Sequence, residues 1–333
     1  MPGTGPTRIQ DVIQPEIFVP YLINRTAELS AFVQSGIITR NTALDQLVTG
    51  GGTTLQMPFW QDLTGESQVM DDVNPIEADK ITSSKDIATM LIRTHAWSSH
   101  ELAGALAGDD PQAAIIQLVA NWWVRDEQRI LFKILDGIFI SSSMQDLILP
   151  APTTPIAGTS GSLVLEAKQL LGDAAGQLTA IGMHSMTYTF LQQKGLIEFV
   201  PSVSTDTVPT ATIQIPTYLG YRVIVDDGMP VTGSGASAIY TSYLFAAGTI
   251  ARGEGVPVSL TPVATDRDEP MSTDYLFHRR AFVLHPMGIK WIGTPAAPRP
   301  TPNNAELATG TNWERVVEKK QIGIVQFTHS LAA

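Results

Sequence analysis

The chain has 333 residues, 44% of them hydrophobic and 16% charged, enough for one large core or two domains. Its net charge of −11 argues against a broad electrostatic grip on nucleic-acid phosphates. It has no cysteine, which excludes disulfides, thiolate metal sites and cysteine nucleophiles and fits assembly in a reducing compartment.

Residues 1–14 begin MPGTGPT and read as a flexible arm. The first apolar stretch, Val12 to Ile23, is broken by Pro15, Glu16 and Pro20, so it does not read as a signal peptide. A short helix is expected over Val19–Ser35, with Gly36 after it, and a second short apolar segment over Thr42–Val48 ends at Gly50-Gly51-Gly52. No Gly-Lys-Ser/Thr follows that triplet, so it is a corner and not a phosphate loop. Residues 53–63 alternate as a strand, with Leu55, Met57 and Phe59 on one side and Thr54, Gln56, Pro58 and Trp60 on the other. Pro58 places it at a sheet edge. A return strand is expected over Lys85–Trp97. Between the two, Asp62, Glu66, Asp71, Asp72, Glu77 and Asp79 are six acids with no base, the solvated tip of a long hairpin. Two strands bury too little to stand alone, so this hairpin must lie on something.

A short helix at Ser98–Leu106 then leads into the longest helical pattern, 111–139. Asp109 and Asp110 precede it as caps, and Pro111 suits a first turn, where its missing N–H costs nothing. Ala113, Ile116, Ala120, Trp123, Leu131, Ile134 and Ile138 recur at helical spacing on one face. Arg125, Arg129, Lys133 and Asp136 fall on another. Glu127 fits the apolar stripe least well, and Gly137 predicts an end a few residues early. Residues 141–162, rich in Ser, Pro, Thr and Gly, read as a domain seam. Beyond it the types alternate: helix Leu163–Leu171, strand Leu178–Gly182, helix Ser185–Lys194, strands Tyr221–Val225 and Ile239–Ala247. From Val256 the chain reads as strands interrupted by charged breaks and by the proline spacer Pro295–Pro302. No run approaches the ~20 apolar residues of a membrane span.

An enzyme needs an activated group, and the search for one is nearly empty. His95 and His100 lack helical metal-ligand spacing, and no H-E-x-x-H occurs. His184 opens a helix after a strand and reads as a cap. His278 and His285 sit in a strand beside Arg279 and Arg280. Asp71-Asp72 and Asp226-Asp227 are adjacent pairs, which on a strand point to opposite faces and make no acid–base dyad. Gly-x-Ser-x-Gly is absent. Trp122 and Trp123 read as packing. No catalytic residue, cofactor site or metal site is assigned. The low charged fraction suggests a surface covered by partners.

The order of elements resembles the major capsid proteins of tailed bacteriophages with the Hong Kong 97 fold. TTLQMPFWQDLTG resembles the start of that family's extended loop. AIGMHSMTYTFLQQKGLIEFVPS with IPTYLGYRVIVDDGMP is similar to its axial domain, and FVLHPMGIKW with NWERVVEKKQIGIVQF to its closing strands. The resemblance implies an α+β fold: residues 1–52 as N-terminal arm and short helices, 53–97 as an extended β-hairpin loop across a neighbouring subunit, and 98–162 as a peripheral domain with spine helix 111–139. It further implies an α/β axial domain at 163–255 and closing strands at 256–333, mainly in the peripheral domain. It implies a coat protein whose copies form pentamers and hexamers of an icosahedral shell around double-stranded DNA, in a virion assembled in the host cytoplasm. Intersubunit contacts are expected at Met57, Phe59, Trp60, Asp62, Glu66, Asp71, Asp72, Arg125 and Arg129.

Two departures bear on partners. The extended loop begins by residue 53, which leaves no room for the roughly hundred-residue N-terminal scaffolding segment of some members, so a separate scaffolding protein is implied; the resemblance also implies a portal and, where no crosslink forms, non-covalent contacts or a decoration protein. Some members crosslink a loop lysine to a late asparagine; Lys80, Lys85, Asn303 and Asn304 are present, but no motif selects them. The alternatives are an encapsulin-type nanocompartment and, from another class, an α/β hydrolase depending on His184.

Overall fold

The computed structural model describes residues 35–63, 66–68, 80–107, 111–158, 162–201 and 214–331. The predicted arm at 1–14, the helix at Val19–Ser35 apart from its last residue, and Asp71 and Asp72 lie outside them. Strand β1 (Ile38–Arg40) leads into helix α1 (Thr42–Gly50). The Asn41 side chain caps α1, accepting the Ala43 N–H at 3.0 Å. The glycine triplet ends it, Gly51 at φ 81° and Gly52 at φ 121°, angles that side-chain-bearing residues avoid.

Strand β2 (Thr54–Trp60) alternates as predicted: Leu55 is buried, Met57 and Phe59 half-buried, and the four residues between and beside them exposed. It pairs antiparallel with β3 (Ser83–Thr89), Trp60 opposite Ser83 and Thr54 opposite Thr89, in a sheet of two strands. The return run is not the single strand Lys85–Trp97. It breaks at buried Met90, whose N–H donates to Thr53 O at 2.9 Å, and resumes as β4 (Leu91–His100). The two halves serve different sheets, so the ladder cannot be continuous. Helix α2 (Glu101–Ala107) accordingly starts later than predicted, because Ser98–His100 are still paired within a sheet.

Helix α3 (Pro111–Ile140) spans 30 residues, about 45 Å at ~1.5 Å per residue. It does not stop at Gly137. A Cβ there would collide with the Leu307 carbonyl oxygen and come within 2.7 Å of the Trp313 indole nitrogen. Glycine is required by close approach, not by helix termination. The seam predicted at 141–162 is also corrected. It holds a 3-10 turn at Ser142–Leu147 and strand β5 (Ile148–Pro155), which runs parallel to the C-terminal strand. Its prolines are tolerated because β5 is the edge of its sheet.

The mixed segment follows as helix α4 (Ser162–Gln169), β6 (Leu178–Met183), α5 (Ser185–Gln193), β7 (Glu198–Pro201), β8 (Gln214–Tyr218), β9 (Tyr221–Val225), β10 (Val231–Thr232) and β11 (Ile239–Ala246). Then come β12 (Ile250–Gly255), β13 (Val263–Asp268), the 14-residue β14 (Thr273–Pro286), β15 (Ile289–Trp291), α6 (Asn304–Leu307), β16 (Trp313–Arg315) and β17 (Ile324–Ser330).

An eight-stranded sheet runs β5-β17-β11-β6-β9-β8-β7, with β10 beside β11. A five-stranded sheet runs β1-β12-β14-β13, with β4 on β14 as well. The chain limits drawn at 163–255 and 256–333 do not divide these sheets. Strand β17, assigned mainly to the peripheral part, lies between β5 and β11 of the eight-stranded sheet, and β12, inside the predicted axial segment, belongs to the other. Strand pairing is long-range, and limits read along the chain cannot see it.

Helix α3 bridges the two. From Ile130 to Phe139 it is buried all round except at Lys133 and Asp136, packed in the main core with Ile181, Leu244, Phe245 and Phe327. Further toward its N-terminus, Val119 and Trp123 pack on Leu276 of β14. Of the predicted stripe, Trp123, Leu131, Ile134 and Ile138 are buried; the side chains of Ala113, Ile116 and Ala120 lie outside the described residues.

Candidate functional site

The predicted contact residues divide between two elements. Met57, Phe59, Trp60, Asp62 and Glu66 belong to β2 and the chain beyond it, and Arg125 and Arg129 to α3. At its base the hairpin is anchored. Leu55, Ala88 and Met90 join Leu44 and Val48 of α1 and Ala251, Ala281 and Val283 of the five-stranded sheet in one apolar cluster, with Met57 against it. Glycine 253 makes this possible: a Cβ there would come within 2.5 Å of the Leu44 Cβ, so α1 sits directly on β12.

A polar pin holds the same base. The Asp86 carboxylate, buried on β3, accepts the Gly288 N–H at 3.0 Å and lies 2.9 Å from His285 Nε2. His285 is itself buried at the end of β14. Toward the tip, support ends. Trp60 is 67% exposed, Leu63 73% and Ile81 50%, and Asp62 and Glu66 are exposed beside them. An apolar end on a hairpin with a firmly held base is a surface suited to covering by another chain.

On α3, Arg129 is exposed and pairs with Asp126 at 3.1 Å, while Lys133 pairs with Asp136 at 2.9 Å, each within one turn. Such surface pairs add little stability and leave the face wettable. Arg125 is half-buried. Glu127 is different: it is 4% exposed and meets two charged partners. Arg252 donates to it through Nε and Nη2, and Arg280 Nη2 lies 3.4 Å from its Oε2. Glu254 accepts from Arg252 at 2.8 Å and from Arg280 at 2.7 Å. The hydrogen bond that Arg252 donates to Glu127 pushes the Arg252 pKa up. Burial works against the charge on Glu254, yet Arg280 and Arg252 together hold its carboxyl below the usual range. The Glu254 N–H donates to Asp45 Oδ1 of α1 at 2.7 Å. Helix α3, strands β12 and β14 and helix α1 are thus joined by one charged network. The sequence signalled Glu127 as a misfit in the stripe but not its partners, which lie more than a hundred residues away.

The groups searched for chemistry have structural roles. His184 Nδ1 accepts the Met186 N–H at 3.1 Å and caps α5, as predicted. Asp226 and Asp227 diverge: Asp226 is buried, accepting the Gly228 N–H at 2.7 Å and the Gln128 amide, whereas Asp227 is exposed. Asn303 forms a capping box with Glu306 on α6, and Asn304 accepts from Arg93 at 3.3 Å. Lys85 donates to Gln56 at 3.2 Å and Lys80 is exposed. No helix among the described residues is long and apolar enough to cross a membrane.

Comparison with known proteins matches this architecture. The Gp13-like family, described as "Major capsid protein 13-like", matches residues 142–325. The major capsid protein of Bacillus phage SPP1 is 44% identical over 330 residues, covering 98% of this chain and 99% of that protein. The capsid of Ralstonia phage GP4 superposes with a TM-score of 0.58 at 9% identity, covering 88% of this chain and 87% of that one. That of cyanophage Pam1 gives 0.57 at 11%, covering 89% of each. At so low an identity the two structures speak for the fold, and the SPP1 relative for the role: the chain belongs to the major capsid proteins of tailed bacteriophages, with the Hong Kong 97-like fold.

Proposed function

We propose that copies of this chain close an icosahedral shell as pentamers and hexamers, with the outer end of the β2–β3 hairpin laid across a neighbouring copy, while Leu91–Trp97, the last part of the loop expected over 53–97, stay paired with β14 of their own subunit. One observation carries this reading: the β2–β3 hairpin has a fixed base and a bare apolar end at Trp60, Leu63 and Ile81. Covering each of those side chains contributes roughly 1.5–3 kcal/mol. The arm of one copy meets a different surface of the next, a heterologous contact of the kind that closes into rings when repeated. Met57, Phe59, Trp60, Asp62, Glu66, Asp71 and Asp72 are then arm contacts, and Arg125 and Arg129 part of the face that receives a neighbour. The five-stranded sheet with the N-terminal half of α3 forms the peripheral unit. The eight-stranded sheet, including β17, forms the axial unit at the five-fold and six-fold centres.

The shell is built in the host cytoplasm with a separate scaffolding protein and a portal, and is reinforced by non-covalent contacts and a decoration protein instead of a lysine–asparagine crosslink. The structural duties of Asn303 and Asn304 favour that last point. It encloses double-stranded DNA without sequence-specific binding, in keeping with a net charge of −11. The test is deletion of residues 62–80. The expected product is a folded subunit that fails to form shells in electron micrographs of cells co-expressing the scaffold. Normal shells from the deleted chain would refute the arm.

A further inference from the structure

Strand β4, helix α3 and the start of α6 enclose an open cleft of about 490 Å³, with Arg93, His95, Trp122, Trp123, Asp126 and Asn304 in its walls. It is rich in donors. Arg93 is half-buried, and its two hydrogen-bonded oxygens are uncharged: Pro302 O at 2.8 Å and Asn304 Oδ1 at 3.3 Å. It forms no ion pair among the described residues, unlike Arg252 and Arg280 on the neighbouring strands. The Trp123 indole N–H is buried without an acceptor. One wall is aromatic: His95 stacks on Trp122 at 4.4 Å and 24°, and Trp97 stands edge-on to both. Burial lowers the His95 pKa, so that wall is uncharged at neutral pH. The acid in its walls, Asp126, is paired with Arg129, and it and Glu306 also attract Arg93 through space without touching it.

We infer that this cleft receives a carboxylate from the acidic segment Asp62–Asp79 of a second copy of the chain. This rests on the reading of the hairpin as an intersubunit arm and names where its acidic end lands. A planar guanidinium with unused donors matches a carboxylate in two-point geometry. The stacked rings of His95 and Trp122 flank the cleft as an uncharged wall. The segment carries six acids and no base. The choice of a second copy follows from the arm reading, which lays the end of the hairpin on a neighbour. A DNA phosphate fits less well, because a duplex is gripped through many cations and the cleft offers one, Arg93.

The test uses a fluorescent peptide of residues 61–82 and the unassembled full-length subunit, read by anisotropy. Saturable binding is expected, weakened at least about tenfold by Arg93→Met and by a peptide whose acids are replaced with amides. Asn304→Asp should weaken it similarly, because it sets a carboxylate beside Arg93 while the fold, checked by near-ultraviolet circular dichroism, stays intact. No binding, or equal binding by all three proteins, overturns the inference. So does an Arg93→Met protein that loses affinity for short double-stranded DNA but not for the peptide. A failed arm reading looks different: deletion of 62–80 leaves shells normal. If the deletion blocks shells but full-length Arg93→Met assembles normally, the arm stands and only the cleft assignment falls.

Discussion

Glu127 and Arg252 meet at the junction of α3 and the five-stranded sheet, the arginine donating through both Nε and Nη2 to one buried carboxylate. Each is desolvated there, so the pair is held by mutual satisfaction and not by a large net gain. Removing one partner leaves the other charge stranded. Glu127→Ala should therefore cost about 3–5 kcal/mol. Glu127→Gln, which keeps one acceptor, should cost less. Urea midpoints of the unassembled subunit measure both, and equal stability of Glu127→Ala and the parent would contradict a buried network.

Gly137→Ala distinguishes two readings of the same residue. If the glycine were a tolerated flaw in an open helix, alanine would stabilise by about 1 kcal/mol. The contacts with Leu307 and Trp313 leave no room for a methyl, so the substitution should instead destabilise by about 1–3 kcal/mol. The direction of the melting-temperature change decides.

His329 gives the subunit an acid-sensitive step. Burial pushes its pKa down to about 4, and its Nε2 lies 3.0 Å from Ser242 Oγ. An unfolded histidine titrates near 6.5. Between those values the unfolded chain binds more protons than the folded one, so stability is full above about pH 6.5 and falls as pH drops toward 4. The loss from this residue is roughly 3 kcal/mol. His95 and His278, both lowered by burial, act in the same direction. The slope of stability against pH should flatten in that window for His329→Gln, provided the variant folds; an unchanged slope would count against the buried neutral imidazole.

Asp86→Ala tests the pin at the arm's base. It leaves the buried Gly288 N–H without an acceptor, at a cost of about 1–3 kcal/mol. The effect should be local: hydrogen exchange should quicken at residues 83–90 and not in α3.

Trp123→Asp puts a carboxylate at a position 3% exposed, on the face of α3 that meets Leu276. Subunit folding should fail, seen as loss of soluble protein. A soluble, shell-forming variant would mean that this face of the helix is not buried in the subunit.

Much of this fold is written in short-range pattern. Pro111 and the apolar spacing of α3 placed the long helix to within a residue at its far end, and the alternation in β2 gave its inner and outer faces correctly. Strand β9 lies on its predicted limits. These elements are legible because local backbone geometry sets the period at which side chains return to one face. The order of elements and the quoted motifs were enough to point to the coat-protein family.

What the sequence could not decide depends on partners distant along the chain. The return strand splits at Met90 because its halves pair with β2 and with β14. A Pro- and Thr-rich stretch becomes β5 because backbone N–H and C=O groups pair with β17 whatever side chains they carry. Glu127 is tolerated in an apolar stripe because folding brings Arg252 and Arg280 to it, and Gly137 is needed because folding brings Leu307. Periodicity specifies which face of an element is buried. Only the tertiary structure supplies what it is buried against, and so decides which charges are paired.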